Sequence, residues 1–308
     1  MSGALQIACR IRGFTLVELM LGTLIGALLI TGALRLLVQA RIAWQAAENV
    51  AALEERAAYA LTALEQDIRL AGYWGLHSDS KLISVQPDVA AHCGGIDVSN
   101  WALDLSSTLQ ADNNRFTLPC KAYSGAVSGT DTLTVRHASL APADPAEDRI
   151  QLYTSRQHGM IFQAKIPPAT AAGIWETYNV EVHAWHLVQN SSETGLPALR
   201  RFALSSKGIM QSQEIIPGIE NFQVLLGIDR DEDGIVDGFV NPDATAGKAI
   251  LAVRFWLLLR SLTREPGHID AGPWYSIDTN AGSPIRPGDS YRRITAERTI
   301  WLRNQADG

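Results

Sequence analysis

A long apolar run near the N-terminus is the first clear pattern in the sequence. Residues 14–34 read FTLVELMLGTLIGALLITGAL, which is apolar except for Glu18 and a few threonines and glycines, and Arg35 follows. The twenty-one residues of this run rise about 30 Å as a helix, which is about the thickness of a bilayer's hydrocarbon core. The pattern therefore predicts one membrane-spanning helix over residues 14–34.

A helical pattern continues beyond the apolar run, because residues 35–71 contain no proline or glycine and are rich in strong helix formers. Apolar residues recur there at spacings of three and four, at Leu53, Ala57, Leu61, Leu64, Ile68 and Ala71. This stripe predicts an amphipathic helix over 35–72 that continues the first, ends at Gly72 and packs against a sheet.

After Gly72 the apolar residues alternate with polar ones, as they do in strands. The predicted strands are Asp131–His137, Arg149–Tyr153, Met160–Ala164, Tyr178–Val188, Leu199–Leu204, Asn221–Ile228, Leu251–Leu259 and Thr299–Leu302. The fold class is therefore α+β, with a long N-terminal helix packed on an antiparallel β-rich head over residues 73–308. A division of the head near residue 205 is left open.

Composition and charge are those of a globular protein without a nucleic-acid footprint. Of 308 residues, 46% are hydrophobic and 19% charged, which is enough apolar material for a sizeable core. The net charge is −6 and no block of like charges occurs, so duplex DNA is not indicated as a direct partner.

The segment before the apolar run is basic. Residues 1–13 contain Arg10 and Arg12 and no acid, which predicts a cytoplasmic leader and a C-terminal part on the far side of the membrane. An ordinary secretory signal cleaved after Ala40 is the alternative. Glu18 argues against it, because a carboxylate inside the bilayer costs about 2 to 3 kcal/mol and needs a reason to be there.

The residues from Gly13 to Glu18, GFTLVE, resemble the class III signal peptide of type IV prepilins. The resemblance implies that a prepilin peptidase removes leader 1–13 after Gly13 and methylates the new amine of Phe14. It also implies an assembly role for Glu18, whose carboxylate would neutralise the N-terminal amine of a neighbouring subunit in the filament core. An ion pair in such a low-dielectric bundle fixes register, because either charge alone is costly there.

Several internal segments resemble PilW-type minor pilins. They are DIRLAGYWG at 67–75, GIENFQV at 218–224, VRFWLLLRS at 253–261 and LRN at 302–304. The resemblance implies a structural subunit that helps to prime and assemble a type IV pilus near its tip, in twitching motility, adhesion and DNA uptake. It implies as partners the major pilin, other minor pilins, the inner-membrane assembly platform and a tip adhesin. The protein would lie in the bacterial inner membrane before assembly and in the extracellular pilus afterwards.

Two other functional classes stay open. A J-type pseudopilin of a type II secretion system would share the leader and the β-rich plan. A membrane-tethered periplasmic enzyme is the alternative from another class, but the nucleotide-binding and hydrolase motifs that would indicate one are absent from the sequence. We therefore expect no enzymatic activity.

One internal motif points to a metal. Residues 229–237 read DRDEDGIVD, and this spacing supplies calcium with carboxylates from Asp229, Asp231, Asp233 and Asp237 and a carbonyl from Ile235. The bidentate Glu that completes an EF-hand loop is replaced by Val240, unless Asn241 or Asp243 bends back. A solvated acidic hairpin without metal is the alternative.

The remaining candidates are cysteines and histidines. Cys93 and Cys120 are expected to form a disulfide outside the cytoplasm, with two separate buried thiols as the alternative. Cys9 falls in the leader. His183 and His186 are three residues apart on a predicted strand, which places them on opposite faces and disfavours a zinc ion shared between them.

Overall fold

The helices and strands are seen in a computed structural model that describes residues 13–77, 79–166, 173–277 and 284–304. The described helices are α1 (Leu16–Leu70) and α2 (Ser99–Ala102), with 3₁₀ helices at Ser80–Leu82, Ser206–Gly208 and Pro242–Ala244. The strands are β1 (Ile83–Val85), β2 (His92–Cys93), β3 (Ile96–Asp97), β4 (Leu109–Asp112), β5 (Thr132–Ala138), β6 (Ile150–Thr154), β7 (Gly159–Gln163), β8 (Glu176–Val188), β9 (Ala198–Leu204), β10 (Met210–Pro217), β11 (Ile219–Asp229), β12 (Gly238–Val240), β13 (Ala249–Arg260) and β14 (Arg293–Trp301). The leader residues Cys9, Arg10 and Arg12 lie outside the described ranges.

Helix α1 has defined ends. Thr15 precedes its first residue, and the Thr15 hydroxyl accepts a hydrogen bond from the backbone N–H of Glu18 at 3.3 Å, as an N-cap residue does. At the other end Gly72 has a φ of +75°, the left-handed conformation of a helix-terminating glycine. A Cβ at this position would lie 3.0 Å from the backbone oxygen of Asn304. The predicted stop at Gly72 is confirmed.

The chain falls into two compact units, Met1–Glu48 and Asn49–Gly308. In the described part of the first unit the side chains from Phe14 to Val38 are almost all exposed, and Phe14 is 82% exposed. Within the described residues, α1 is the helix that is long and apolar enough to cross a membrane. The length and hydropathy of this segment therefore agree with the predicted span.

In the second unit, the C-terminal part of α1 buries one face. The buried residues are Leu53, Ala57, Ala60, Leu64, Asp67 and Ile68, and Ala71 follows directly after the helix. The predicted stripe is confirmed except that Leu61 is only partly buried. Ala60 and Asp67 lie on the buried face beside it, so the buried strip is wider than the apolar pattern indicated.

Two main sheets form the head. The larger has eight strands, in which β1, β7, β6, β8, β5 and β4 follow one another and β9 joins β8 to β10. The smaller has the order β12-β11-β13-β14, and β2 pairs with β3. Among the described residues, β1 pairs with β7 in parallel and the other strand pairs are antiparallel.

The buried face of α1 and both sheets share one hydrophobic core. It includes Leu53 and Leu64 from the helix, Trp185 from the larger sheet, and Phe222 and Phe255 from the smaller one. A second core lies between the larger sheet and the segment from Trp74 to Ala122. The predicted α+β fold, a long N-terminal helix packed on a β-rich head, is thereby confirmed.

The predicted strands are all present, with modest changes in their bounds, but others were missed. The last strand begins at Arg293, six residues before the predicted Thr299. The strands that were not predicted are β1, β2, β3, β4, β10 and β12, which are short or carry several polar side chains at partly or fully exposed positions. Since β9 and β10 pair across residue 205 within one sheet, the structure contains no division of the head there.

Cys93 and Cys120 form a disulfide, with Cα atoms 5.5 Å apart. Cys93 ends β2, and Cys120 lies in the loop between β4 and β5. Both belong to the second core cluster. The bond therefore fastens the irregular segment that covers the outer face of the larger sheet.

A buried arginine at the start of β14, Arg293, forms ion pairs with three carboxylates. Arg293 is 2% exposed at its side chain and contacts Glu220 at 2.6 Å, Asp270 at 3.1 Å and Asp289 at 2.7 Å. Its main partner Glu220 also contacts Arg260 at 3.0 Å. The network ties Asp270 and Asp289, which lie between β13 and β14 in the chain, to β11 and β14.

We expect the disulfide to stabilise the fold measurably. Replacing both Cys93 and Cys120 by alanine should lower the free energy of unfolding by about 3 kcal/mol, because the unfolded chain loses a cross-link that closes a loop of this size. Denaturant unfolding of the full chain in detergent micelles measures this. A reductant should destabilise the parent and leave the double variant unchanged; equal stability of parent and variant would contradict the expectation.

Removing the buried guanidinium of Arg293 should lower the free energy of unfolding at least as much as removing the disulfide. Arg293→Ala removes a guanidinium that three carboxylates share, of which Glu220 keeps its contact with Arg260, and should lower the free energy of unfolding by about 3 to 5 kcal/mol. Arg298→Ala is the matched control on the same strand; Arg298 pairs with Glu65 nearer the surface, so its loss should cost about 1 kcal/mol or less. Equal effects of the two substitutions would show that the network adds nothing.

Acid gives the Arg293 prediction a second check. The hydrogen bond from Arg293 lowers the pKa of Asp289 to about 2. A carboxyl group with a lowered pKa contributes stability above its unfolded-state pKa and loses that contribution as the pH falls through the folded value. Between about pH 4 and about pH 2 the parent should therefore lose more stability than Arg293→Ala.

Candidate functional sites

The first candidate site is the beginning of α1. Gly13 and Phe14 precede the helix in exposed, non-helical backbone, and a Cβ added at Gly13 would meet nothing within 4 Å. Glu18 lies in the first helical turn and is exposed among apolar side chains. It is the one ionisable side chain of the run 14–34.

This arrangement has a clear chemical meaning. The N-terminal turn carries the positive end of the helix dipole, which stabilises a carboxylate such as Glu18 in its own helix. In an apolar environment the charge still requires a cationic partner, because an unpaired carboxylate is costly there. Accessible backbone at Gly13 and Phe14 is also what a protease needs. The site thus combines an accessible peptide bond between Gly13 and Phe14 with a carboxylate, Glu18, that requires a cationic partner in an apolar environment.

The second candidate site is the acidic turn between β11 and β12. Carboxylate oxygens of Asp229, Asp231 and Asp237 lie within 4.8 Å of one another. Asp229 is buried and accepts from the N–H groups of Glu232 at 2.7 Å and Gly234 at 2.8 Å. Gly234 has a φ of +81°, so the sharp turn predicted at this glycine is present.

The charges of the turn repel one another. The neighbouring carboxylates of Asp233 and Asp237 raise the pKa of Asp231. Desolvation would raise the pKa of Asp229 as well, but the backbone N–H groups that donate to it hold its pKa below the usual value. A bound dication would relieve the repulsion, and an oxygen donor set of this kind suits Ca²⁺. The donor chemistry therefore fits the predicted metal.

The other predicted ligands are placed less closely. The carboxylate of Asp233 accepts from the N–H of Ile235 at 2.7 Å. Val240 lies in β12, opposite Leu226 of β11. Asp243 accepts a hydrogen bond from the side-chain amide of Asn113, which follows β4, at 3.2 Å. This contact occupies one carboxylate oxygen of Asp243. The same backbone turn is also compatible with the alternative interpretation, a solvated acidic hairpin without metal.

A third polar group was missed in the sequence. Asp67 lies on the buried face of α1 and accepts a hydrogen bond from Nε1 of Trp185 at 2.8 Å. His183 is 3.0 Å from Asp67, and Arg201 is 3.5 Å from it. The signal was an acid three residues after Leu64 and directly before Ile68, a position beside the apolar stripe and so on the buried side of the helix.

The ionisation of this group follows from its surroundings. Burial would raise the pKa of Asp67, but the contact with His183 and the charge of Arg201 hold it below the usual value. Burial lowers the pKa of His137, which adjoins His183. The aspartate is therefore ionised and His137 neutral at neutral pH.

His186 lies on the opposite face of β8 from His183, as the alternation predicts. Its ring stacks on Phe202 at 4.6 Å between centroids and meets Phe116 edge-on. Burial lowers the pKa of His186 to about 4. His186 is thus a core residue, and a zinc ion shared with His183 is disfavoured by their placement on the two faces.

Comparison with known proteins finds family matches near both ends of the chain. Residues 186–304 match the family described as Type IV Pilus-assembly protein W, PilW, and residues 9–34 match the Prokaryotic N-terminal methylation motif. The first range contains the acidic turn and Arg293. The second contains Gly13, Phe14 and Glu18. The matched ranges include GFTLVE at 13–18 and the segments 218–224, 253–261 and 302–304, whereas the segment 67–75 lies outside both.

Among solved structures, the chain is similar to a type IV-like pilin from Thermus thermophilus. The two are 13% identical, with a TM-score of 0.37, and the alignment covers 83% of this chain and 98% of the other. A comparison with curated protein sequences yields no match. The resemblance of this chain to PilW-type prepilins is confirmed by the matches to the methylation motif and to the PilW family.

Proposed function

We propose that the protein is a minor pilin subunit of a type IV pilus, which takes part in priming and assembly of the filament at or near its tip. The observation that carries the proposal is Glu18, an exposed acid in the first turn of an apolar helix, five residues after Gly13. A carboxylate placed there has a physical role when it meets a cation in a bundle of such helices. No chemistry of bond cleavage or formation is assigned to the protein.

Processing comes first in this proposal. A prepilin peptidase cuts after Gly13 and methylates Phe14, which removes leader 1–13. Two observations support this step: the exposed, non-helical backbone at Gly13 and Phe14, and the methylation-motif match over 9–34. Mass spectrometry of the mature protein tests it, since a start at methylated Phe14 supports the pilin and a start at Arg41 supports ordinary secretion.

Membrane placement follows from the apolar run. Residues 14–34 span the bacterial inner membrane, residues 35–72 continue the helix into the periplasm, and residues 73–308 form the head. On assembly the span leaves the bilayer and enters the filament core, where the amine of a neighbouring Phe14 meets Glu18. Exposed apolar side chains along this helix suit both lipid and other pilin helices.

The partners are the major pilin, other minor pilins, the assembly platform and a tip adhesin. A J-type pseudopilin is the nearest rival, and the PilW match over residues 186–304 favours a pilus over a type II secretion system. A large head with several exposed loops suits the end of a filament, where fewer neighbours crowd it.

The assembly role of Glu18 gives a direct test. Glu18→Ala should lower the amount of this subunit in sheared filaments by at least about tenfold, because an unpaired amine in the filament core costs about 3 kcal/mol or more. Immunoblotting of filaments against total cell protein measures this. Glu55→Ala, an exposed acid on the same helix outside the apolar run, is the control and should assemble normally. Normal incorporation of Glu18→Ala would refute the assignment.

We further propose that the acidic turn binds Ca²⁺ through Asp229, Asp231, Asp233 and Asp237 and the carbonyl of Ile235. The converging carboxylates of Asp229, Asp231 and Asp237 support this proposal. The ion would stiffen the turn between β11 and β12 rather than activate water. Its coordination shell would be completed by solvent, because Val240 provides no ligand.

Calcium binding can be measured by calorimetric titration of the full chain in detergent micelles. Asp231→Ala and Asp233→Ala should each weaken binding by at least about tenfold, because affinity depends on the number of charged ligands. Glu147→Ala, which removes an exposed acid elsewhere on the head, should leave it unchanged. An absence of calcium-dependent heat in the parent would exclude the site and favour the metal-free hairpin.

A further inference from the structure

The buried polar group around Asp67 lies on the face of the larger sheet that α1 covers. In the register of β5 and β8, His137 is opposite Glu181 and Val135 is opposite His183. Side chains two residues apart on a strand share a face, so His137, Glu181 and His183 point to the same side. Because Val135 and Trp185 on that side pack in the core that α1 shares, the histidines face the helix.

Three potential ligands converge at this point. One carboxylate oxygen of Asp67 and one ring nitrogen each of His137 and His183 lie within 4.8 Å of one another. All three residues are buried, with exposed fractions of 6%, 3% and 8%. Nδ1 of His183 is 3.0 Å from Oδ1 of Asp67, a separation that two ligands of one zinc ion adopt when each is about 2 Å from it.

The second oxygen of Asp67 is already held. Oδ2 accepts from Nε1 of Trp185 at 2.8 Å and lies 3.5 Å from Arg201. These contacts orient the carboxylate and leave Oδ1 directed at the histidines. Outer contacts of this kind fix the ligands of metal sites.

His137 is oriented for a ligand that no protein group supplies. Its Nδ1 is 2.7 Å from the carbonyl oxygen of Ala138, so Nδ1 carries the ring proton and donates it. Nε2 is then a buried lone pair, and it has no hydrogen-bond partner among the described residues. A buried acceptor without a partner costs free energy, and a backbone carbonyl on the far nitrogen is the usual companion of a metal-bound histidine.

His183 has a similar second contact. Its Nε2 is 3.6 Å from a carboxylate oxygen of Glu181, on the side away from Asp67. Its Nδ1 is close to Asp67 but lacks the alignment of a hydrogen bond. A carboxylate behind one nitrogen and an unaligned short contact at the other match a histidine whose Nδ1 faces a metal rather than a proton acceptor.

We propose that the head binds a divalent transition metal, Zn²⁺ in the first place, through Oδ1 of Asp67, Nε2 of His137 and Nδ1 of His183. Two imidazoles and one carboxylate suit Zn²⁺ and disfavour Ca²⁺, which takes oxygen ligands. Glu181 stands behind His183 as an outer partner. The metal fastens the periplasmic part of α1 to β5 and β8 of the head.

The competing arrangement is a protonated His183 between Asp67 and Glu181, without metal. The charges do not separate the two, since Asp67 and Glu181 both lie near Arg201 and Glu181 also lies near Arg149. A proton on His183 leaves Nε2 of His137 without a partner, whereas a metal uses it. His137 is therefore the residue that separates the two arrangements.

The test uses the full chain, purified without a histidine tag in detergent micelles, stripped with a chelator and titrated with Co²⁺. The parent should bind one equivalent and show the visible absorption of nitrogen-coordinated Co²⁺, displaced by Zn²⁺ and not by Ca²⁺. His137→Gln should bind at least about 100-fold more weakly, because even outer partners of metal ligands contribute 10- to 100-fold. Glu181→Gln, a change at the partly exposed outer partner, should weaken binding by about 10- to 100-fold.

Two controls complete the experiment. His186→Gln changes a buried histidine on the other face of β8, and Asp231→Ala changes the acidic turn; both should keep the parent's spectrum and affinity. No Co²⁺ absorption in the parent overturns the proposal, and this result does not depend on whether His137→Gln folds. Unchanged binding by a folded His137→Gln, or loss of binding in Asp231→Ala, overturns it as well.

Discussion

The structure depends on the contact between one face of α1 and the two sheets of the head. Leu53, Leu64 and Ile68 are fully buried in a core that both sheets complete. Each such side chain contributes about 1.5 to 3 kcal/mol when it leaves water. Without the helix, the apolar inner faces of both sheets would be exposed.

The end of the chain reinforces this contact. The side-chain amide of Asn304 donates to the carbonyl oxygens of Arg69 and Ala71, where α1 ends. Arg298 on β14 pairs with Glu65 of the helix. The last strand thus connects to the end of α1, so that the N-terminal helix and the C-terminal strand stabilise each other.

The two compact units differ in how they expose or bury their apolar side chains. The first unit, up to Glu48, exposes nearly all the apolar side chains of its described part. The second unit holds its own part of α1 through a closed core, polar contacts and a disulfide. Within this unit, Asp67 of α1 and Trp185 of β8 are also joined by a hydrogen bond.

The sequence by itself determined the parts that depend on neighbouring residues. These parts are the apolar run 14–34 with its acid at position 18, the helical stripe that ends at Gly72, and the alternating strands. Each can be recognised from residues close together in the sequence, and the structure contains each of them. Only the tertiary structure decided which distant side chains meet, such as Asp67 with His183 and Arg293 with Glu220. Strand order and register bring these residues together, and they arise from packing between segments far apart in the chain, which local periodicity does not specify.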